Sequence, residues 1–88
     1  MSEKESEKVL IGTVANFYSH ISVAVVKLSS KIRVGDMILI EGTTTNFEQK
    51  VDSMQIEHKS ISEAKAGQSI GLKVIDRVRI GDKVYLSG

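Results

Sequence analysis

The sequence predicts an all-β fold, a small closed six-stranded β-barrel around a single core. Three observations carry this expectation. Short apolar runs alternate with a period of two, and each is rich in strand formers. Turn signals separate the runs at regular spacing, and one signal is used twice. Lys31-Ile32-Arg33-Val34-Gly35-Asp36-Met37-Ile38 returns as Asp76-Arg77-Val78-Arg79-Ile80-Gly81-Asp82-Lys83-Val84. Both copies read Arg, β-branched apolar, Gly, Asp, any residue, β-branched apolar. Finally, no helical pattern is long enough to cover an open sheet, so closure is the natural way to remove exposed strand edges.

The chain in order supports this architecture. Residues 1–8 read MSEKESEK, with mixed charge and nothing apolar after Met1, and are expected to form a disordered polar tail. Residues 9–88 then make one barrel domain. Val9 to Tyr18 is the first strand, with Leu10, Gly12 and Val14 on one face and Ile11 and Thr13 on the other. A glycine inside a strand marks a close backbone approach or a bend. Ile21 to Leu28 is the second strand, joined to the first by a hairpin whose tip carries Tyr18, Ser19 and His20. Met37 to Glu41 follows the first Gly-Asp turn, with Ile38 and Ile40 on one face.

Phe47 to Glu57 is the longest alternating run, and its parity changes partway. Phe47 and Val51 share one face, whereas Met54 and Ile56 fall on the other. One extra residue near Asp52-Ser53 would restore a common face, which predicts a β-bulge there. Ser60-Ile61-Ser62-Glu63 fits a helix capping box and Gly67 a helix C-terminus, enclosing about one turn of helix. Ile70, Leu72 and Val74 alternate with Ser69, Gly71 and Lys73 as a strand. Val84 to Leu86 is the last one.

Composition narrows function by exclusion. The 88 residues include no cysteine, so disulfides, thiolate metal sites and a cysteine nucleophile are ruled out. Lys and Arg number 12 against 11 acidic residues, for a formal charge of +1. That balance argues against strong non-specific nucleic-acid binding but leaves room for a local basic patch. No apolar run reaches membrane-spanning length and the N-terminus is polar, so a cytoplasmic protein without membrane contact is expected.

Several residues in this order resemble a known domain. Gly12-x-Val14, Val34-Gly35-Asp36, Val51-x-x-Met54, Ala66-Gly67, Gly71 and Gly81-Asp82 are similar to the β-barrel second domain of translational GTPases such as elongation factor Tu. The pattern looks closer still to the archaeal stand-alone translation elongation factor-like proteins. It also resembles the C-terminal accessory barrel of the collagenase-like peptidases. The most specific stretch is Gly42-x-Thr44-Thr45-x-Phe47-x-Gln49-x-Val51-x-Ser53-Met54-Gln55-Ile56. The resemblance implies a barrel of the translation-factor domain-two type. It also implies a non-catalytic binding module that contacts tRNA, ribosomal RNA or a protein of the translation machinery. The alternative, favoured by the near-neutral charge, is a protein-protein interaction adaptor that docks onto a separate enzyme. The sequence contains no Gly-x-x-x-x-Gly-Lys-Ser/Thr loop, so GTP binding of its own is not expected, and in the peptidases the catalytic part lies outside this barrel.

The candidate site residues follow from position and chemistry. Lys31, Arg33, Arg77 and Arg79 precede the two turns. On neighbouring loops they would form a four-cation patch for phosphates; the competing reading is a solvated rim. Tyr18 and His20, at the hairpin tip, could stack on an unpaired base or serve as ordinary surface residues. Gly35, Asp36, Gly81 and Asp82 are read as structural turn residues. His20 and His58 lack carboxylates at ligand spacing, and no nucleophile has an evident base, so no metal, cofactor or catalytic residue is expected.

Overall fold

Apolar side chains at every second position need a common side to bury, and the sheet supplies it by curling. The computed structural model describes residues 9–87. It contains ten strands: β1 (Val9–Tyr18), β2 (Val23–Leu28), β3 (Ile32–Arg33), β4 (Met37–Glu41), β5 (Asn46–Lys50), β6 (Met54–Ile56), β7 (Lys59–Ile61), β8 (Glu63–Ala64), β9 (Ser69–Lys73) and β10 (Lys83–Leu86). Eight of them form one antiparallel sheet in the order β5-β4-β10-β1-β2-β9-β6-β7, and β3 pairs separately with β8. The all-β class expected from the sequence is the one observed. All six expected runs are present, one of them split in two, and β3, β7 and β8 are additional.

The sheet curls into a half-barrel around Ile38 and Ile40 of β4, Ala24 and Val26 of β2, Leu72 of β9 and Val84 of β10, all fully buried. Its two end strands are not joined by a regular ladder. Across the open side, Gln49 of β5 instead meets the end of β9, and the residues just beyond it, with its side-chain amide. Nε2 donates to the Lys73 carbonyl at 2.9 Å, and Oε1 accepts from the Ile75 N–H at 2.9 Å. One side chain thus replaces a ladder step, satisfying a backbone donor and acceptor that would otherwise go unpaired.

Four expectations are corrected. In β1, both Ile11 and Val14 are buried, although they have opposite parity. The pairing with β10 runs Leu10–Tyr85 then Gly12–Val84, so Ile11 is an extra residue that turns the strand inward. A second irregularity at Ala15 lies between the pairs Val14–Val26 and Asn16–Val25. In the long run from Phe47, the parity change at Asp52-Ser53 is a break rather than a bulge. β5 pairs with β4, whereas β6 pairs with β9 and β7, so the chain changes partners there. The capping-box segment forms strands, not a helix. A two-residue turn at Glu57 and His58, with φ of 52° and 68°, folds β7 back on β6, and Ala64 pairs with Ile32 to bury both. The second strand also begins two residues later than expected. Ile21 is exposed in the hairpin loop, and Ala24, Val26 and Leu28 face the core.

Gly12 shows the close approach its position implied. A Cβ there would lie 2.6 Å from Val26 Cγ1 and 2.9 Å from the Lys27 carbonyl. The polar segment 1–8 lies outside the described residues. No helix among the described residues is long and apolar enough to cross a membrane.

Candidate interaction site

The repeated turn occurs three times, not twice. In the first copy the Arg33 N–H donates to Asp36 Oδ2 at 2.9 Å and the Asp36 N–H to the Arg33 carbonyl at 3.1 Å. The second copy repeats both bonds between Arg79 and Asp82, at 2.9 and 3.0 Å. Lys65 and Gln68 make the same pair, through Gln68 Oε1 at 2.8 Å and the Lys65 carbonyl at 3.2 Å. Each turn has a glycine in the left-handed region, Gly35, Gly67 and Gly81, with φ between 92° and 99°. Each also clasps the backbone of one buried residue from both sides. The glycine N–H donates to that residue's carbonyl, and its N–H donates to the last turn residue. The residues held are Val51, Leu28 and Val14.

The third copy is hard to see in sequence because Ala66 replaces the β-branched residue and Gln68 the aspartate. The legible signal is the order basic, apolar, Gly, acceptor, any residue, Ile in Lys65 to Ile70. Gly67 is therefore a turn glycine and not a helix cap. Nothing lies within 4 Å of a Cβ built on Gly35, Gly67 or Gly81, so backbone strain alone decides their replacement. We expect Gly35→Ala and Gly81→Ala each to cost about 1–2 kcal/mol. Urea unfolding of both variants checks this, and two neutral results would remove the turn's conformational requirement.

The turn geometry accounts for part of the specific stretch from Gly42. A Cβ on Gly42 would overlap the Asp82 carboxylate, which is buried and held by the Arg79 N–H. The Gly42 N–H closes its own turn onto the Thr45 carbonyl at 2.7 Å. Gln49 bridges the seam, Val51 is held by the first turn, and Met54 enters the core.

The basic pairs do not converge. Their turns start β4 and β10, which are antiparallel with Lys83 opposite Glu41 and Leu86 opposite Ile38. The turns consequently sit at opposite ends of that strand pair, about four residues or roughly 14 Å apart. Lys31 and Arg33 border a shallow depression with Ser30, Asp36 and Leu86. Arg77 and Arg79 border a separate cavity of about 200 Å³ with Thr44, Thr45, Asn46, Phe47 and Asp76. Tyr18 is 43% exposed, and its hydroxyl accepts from Asn16 Nδ2 at 3.3 Å. It lies beside a third depression, shared with His58 rather than with either basic pair. His20 is exposed in the loop between β1 and β2.

The loop between β9 and β10 presents a feature that residue-by-residue reading missed. Ile75 and Ile80 are 72% and 71% exposed, and they bracket Arg77 and Arg79. Among the described residues, no three of His, Cys, Asp and Glu gather in a metal-binding arrangement.

The fold thus defines a small all-β half-barrel whose surface offers loops and open grooves. No family model matches the chain. In sequence it is similar to an uncharacterized protease of Methanocaldococcus jannaschii, with 49% identity over 80 residues, covering 90% of this chain and 20% of that protein. A collagenase of Porphyromonas gingivalis is 33% identical over 81 residues, again covering 90% of this chain and 20% of its own length. The chain therefore spans about a fifth of the length of these curated relatives. In structure it resembles the C-terminal domain of a candidate U32 peptidase from Geobacillus thermoleovorans. The TM-score is 0.85 at 19% identity, over 91% of this chain and 93% of that one. That likeness carries the fold alone. The relatives have protease and collagenase names and give no support to the expected identity as a translation elongation factor-like protein.

Proposed function

We propose that this domain is a non-catalytic accessory module that docks onto a separate protein, and that the partner is a peptidase-type enzyme. The observation that carries this reading is the loop from Ile75 to Ile80. Two large aliphatic side chains more than 70% exposed cost solvation without adding to the core. Arg77 and Arg79 lie between them, and arginine is enriched at protein interfaces. The relatives support the partner class, because they carry a matching segment as one fifth of a longer protease or collagenase chain. The separation of the two basic pairs and the net charge of +1 weigh against a phosphate-tracking surface.

A crosslinking pull-down of the tagged chain from its own cells tests this, with proteins identified and RNA sequenced from one sample. Identified protein partners without enriched RNA are expected. The double variant Ile75→Ser, Ile80→Ser should reduce their recovery about tenfold or more. Enriched tRNA or ribosomal RNA would overturn the docking reading in favour of RNA contact.

A further inference from the structure

Gly71 has no reason within this domain to be glycine. It lies in the interior of β9, where glycine weakens a strand through chain entropy and the missing side chain. Its φ is not left-handed. A Cβ built on it would meet Val23 Cγ1 at 3.4 Å and the Gln55 carbonyl at 3.8 Å, ordinary van der Waals distances. Gly12, by contrast, is forced by contacts of 2.6 and 2.9 Å. A strand glycine required by neither conformation nor internal packing marks an approach from outside.

The surroundings fit such an approach. Ile70 and Leu72 face the core, so Gly71 faces outward. Its cross-strand neighbours are Val25 on β2 and Gln55 on β6. Gly71, Gln55, Val23 and Ile21 border a groove of about 420 Å³, and Val25 borders its continuation toward Tyr18. Lys73 stands at the end near Ile21, its Nζ donating to the Ile21 carbonyl at 3.1 Å. Glu57 borders the continuation of the groove beside Tyr18 and His58. The groove crosses three strands, about 10 Å, which is the reach of about three extended residues.

We propose that this groove seats an extended segment of the partner polypeptide. A leucine- or methionine-sized side chain sits over Gly71, and an acidic residue faces Lys73. This inference rests on the docking reading above and assigns its contact. The apolar floor of Val23 and Val25 favours an aliphatic side chain over a nucleic-acid base, and among the described lining residues the rings of Tyr18 and His58 stand only at the far end of the groove. Charge complementarity at Lys73 sets the direction of the segment. The peptidase relatives supply a polypeptide body about four times the length of the matching segment.

The test is an amide-resolved NMR titration of the full chain with the blocked tripeptide acetyl-Asp-Leu-Thr-amide, beside an oligouridylate control. The peptide should shift the amides of Val23, Val25, Gln55 and Gly71, and Gly71→Val should weaken it about tenfold or more. Gly71→Ala should leave Tm unchanged or raise it by a few degrees. The proposal is overturned if the peptide moves no groove amide, or only those near Thr45 and Arg79. Stronger groove shifts with oligouridylate would overturn it too, as would a Tm loss of several degrees in Gly71→Ala. The two readings separate in the pull-down. Equal capture of an identified partner by the native chain and Gly71→Val removes the groove and leaves docking intact. Capture of no protein removes docking itself.

Discussion

Gln49→Ala should lower stability by about 2–4 kcal/mol, a large share of what a domain of this size possesses. The reason is the position of the amide, not its size. Gln49 is only 6% exposed and stands where the curled sheet lacks a regular ladder. Its removal leaves the Lys73 carbonyl and the Ile75 N–H without the partner that holds each at 2.9 Å. Each orphaned group costs its desolvation, whereas a solvated glutamine would cost almost nothing to replace. Tm should fall by roughly 8 °C or more. Hydrogen exchange at Ile75 should accelerate before that of the β4–β10 ladder. Gln49→Glu separates the two bonds, since its carboxylate still accepts from Ile75 but no longer donates to Lys73. A Tm within a degree or two of the native value and a still-protected Ile75 amide would show that the seam is held by something else.

Gly12→Val should cost about 3 kcal/mol or more. Here the obstacle is a neighbouring strand rather than conformation. The first atom of any side chain at this position would fall 2.6 Å from Val26 Cγ1 and 2.9 Å from the Lys27 carbonyl. Val26 is fully buried and Lys27 lies in the β1–β2 ladder, so neither can yield without parting the strands. Gly12→Ala should act in the same direction with smaller magnitude. Denaturant midpoints of both variants, set beside Gly35→Ala and Gly71→Ala, would sort the glycines by cause. A loss below about 1 kcal/mol for Gly12→Val would mean that β1 can move away from β2 at little cost.

These effects differ in how visible they are from residues alone. The Arg-apolar-Gly-Asp turns are local devices, closed by bonds between residues three apart, so their pattern is written in adjacent positions. The third copy, at Lys65 to Gln68, uses the same bonds with a longer acceptor side chain, and the substitution hides it from a pattern based on aspartate. The bulge at Ile11 leaves no compositional mark, because it depends on which residues of β10 lie opposite. The same limit applies to the candidate site. That Lys31, Arg33, Arg77 and Arg79 flank turns is legible, but their separation to opposite ends of β4 and β10 follows only from antiparallel register. Ser60 to Glu63 offered good helix-capping chemistry. Pairing of Ala64 with Ile32 and of Ile61 with Met54 decided the segment as strand.

The sequence by itself determined the all-β class, the positions of the main strands and the turns that start β4 and β10. Period-two burial and glycine's access to positive φ act over a few residues and need no distant partner. The tertiary structure alone decided the seam through Gln49, the partner change at Asp52-Ser53, the three clasped residues Val14, Leu28 and Val51, and the outward-facing vacancy at Gly71. Each of these joins segments distant along the chain, and only closing the sheet fixes which of them meet.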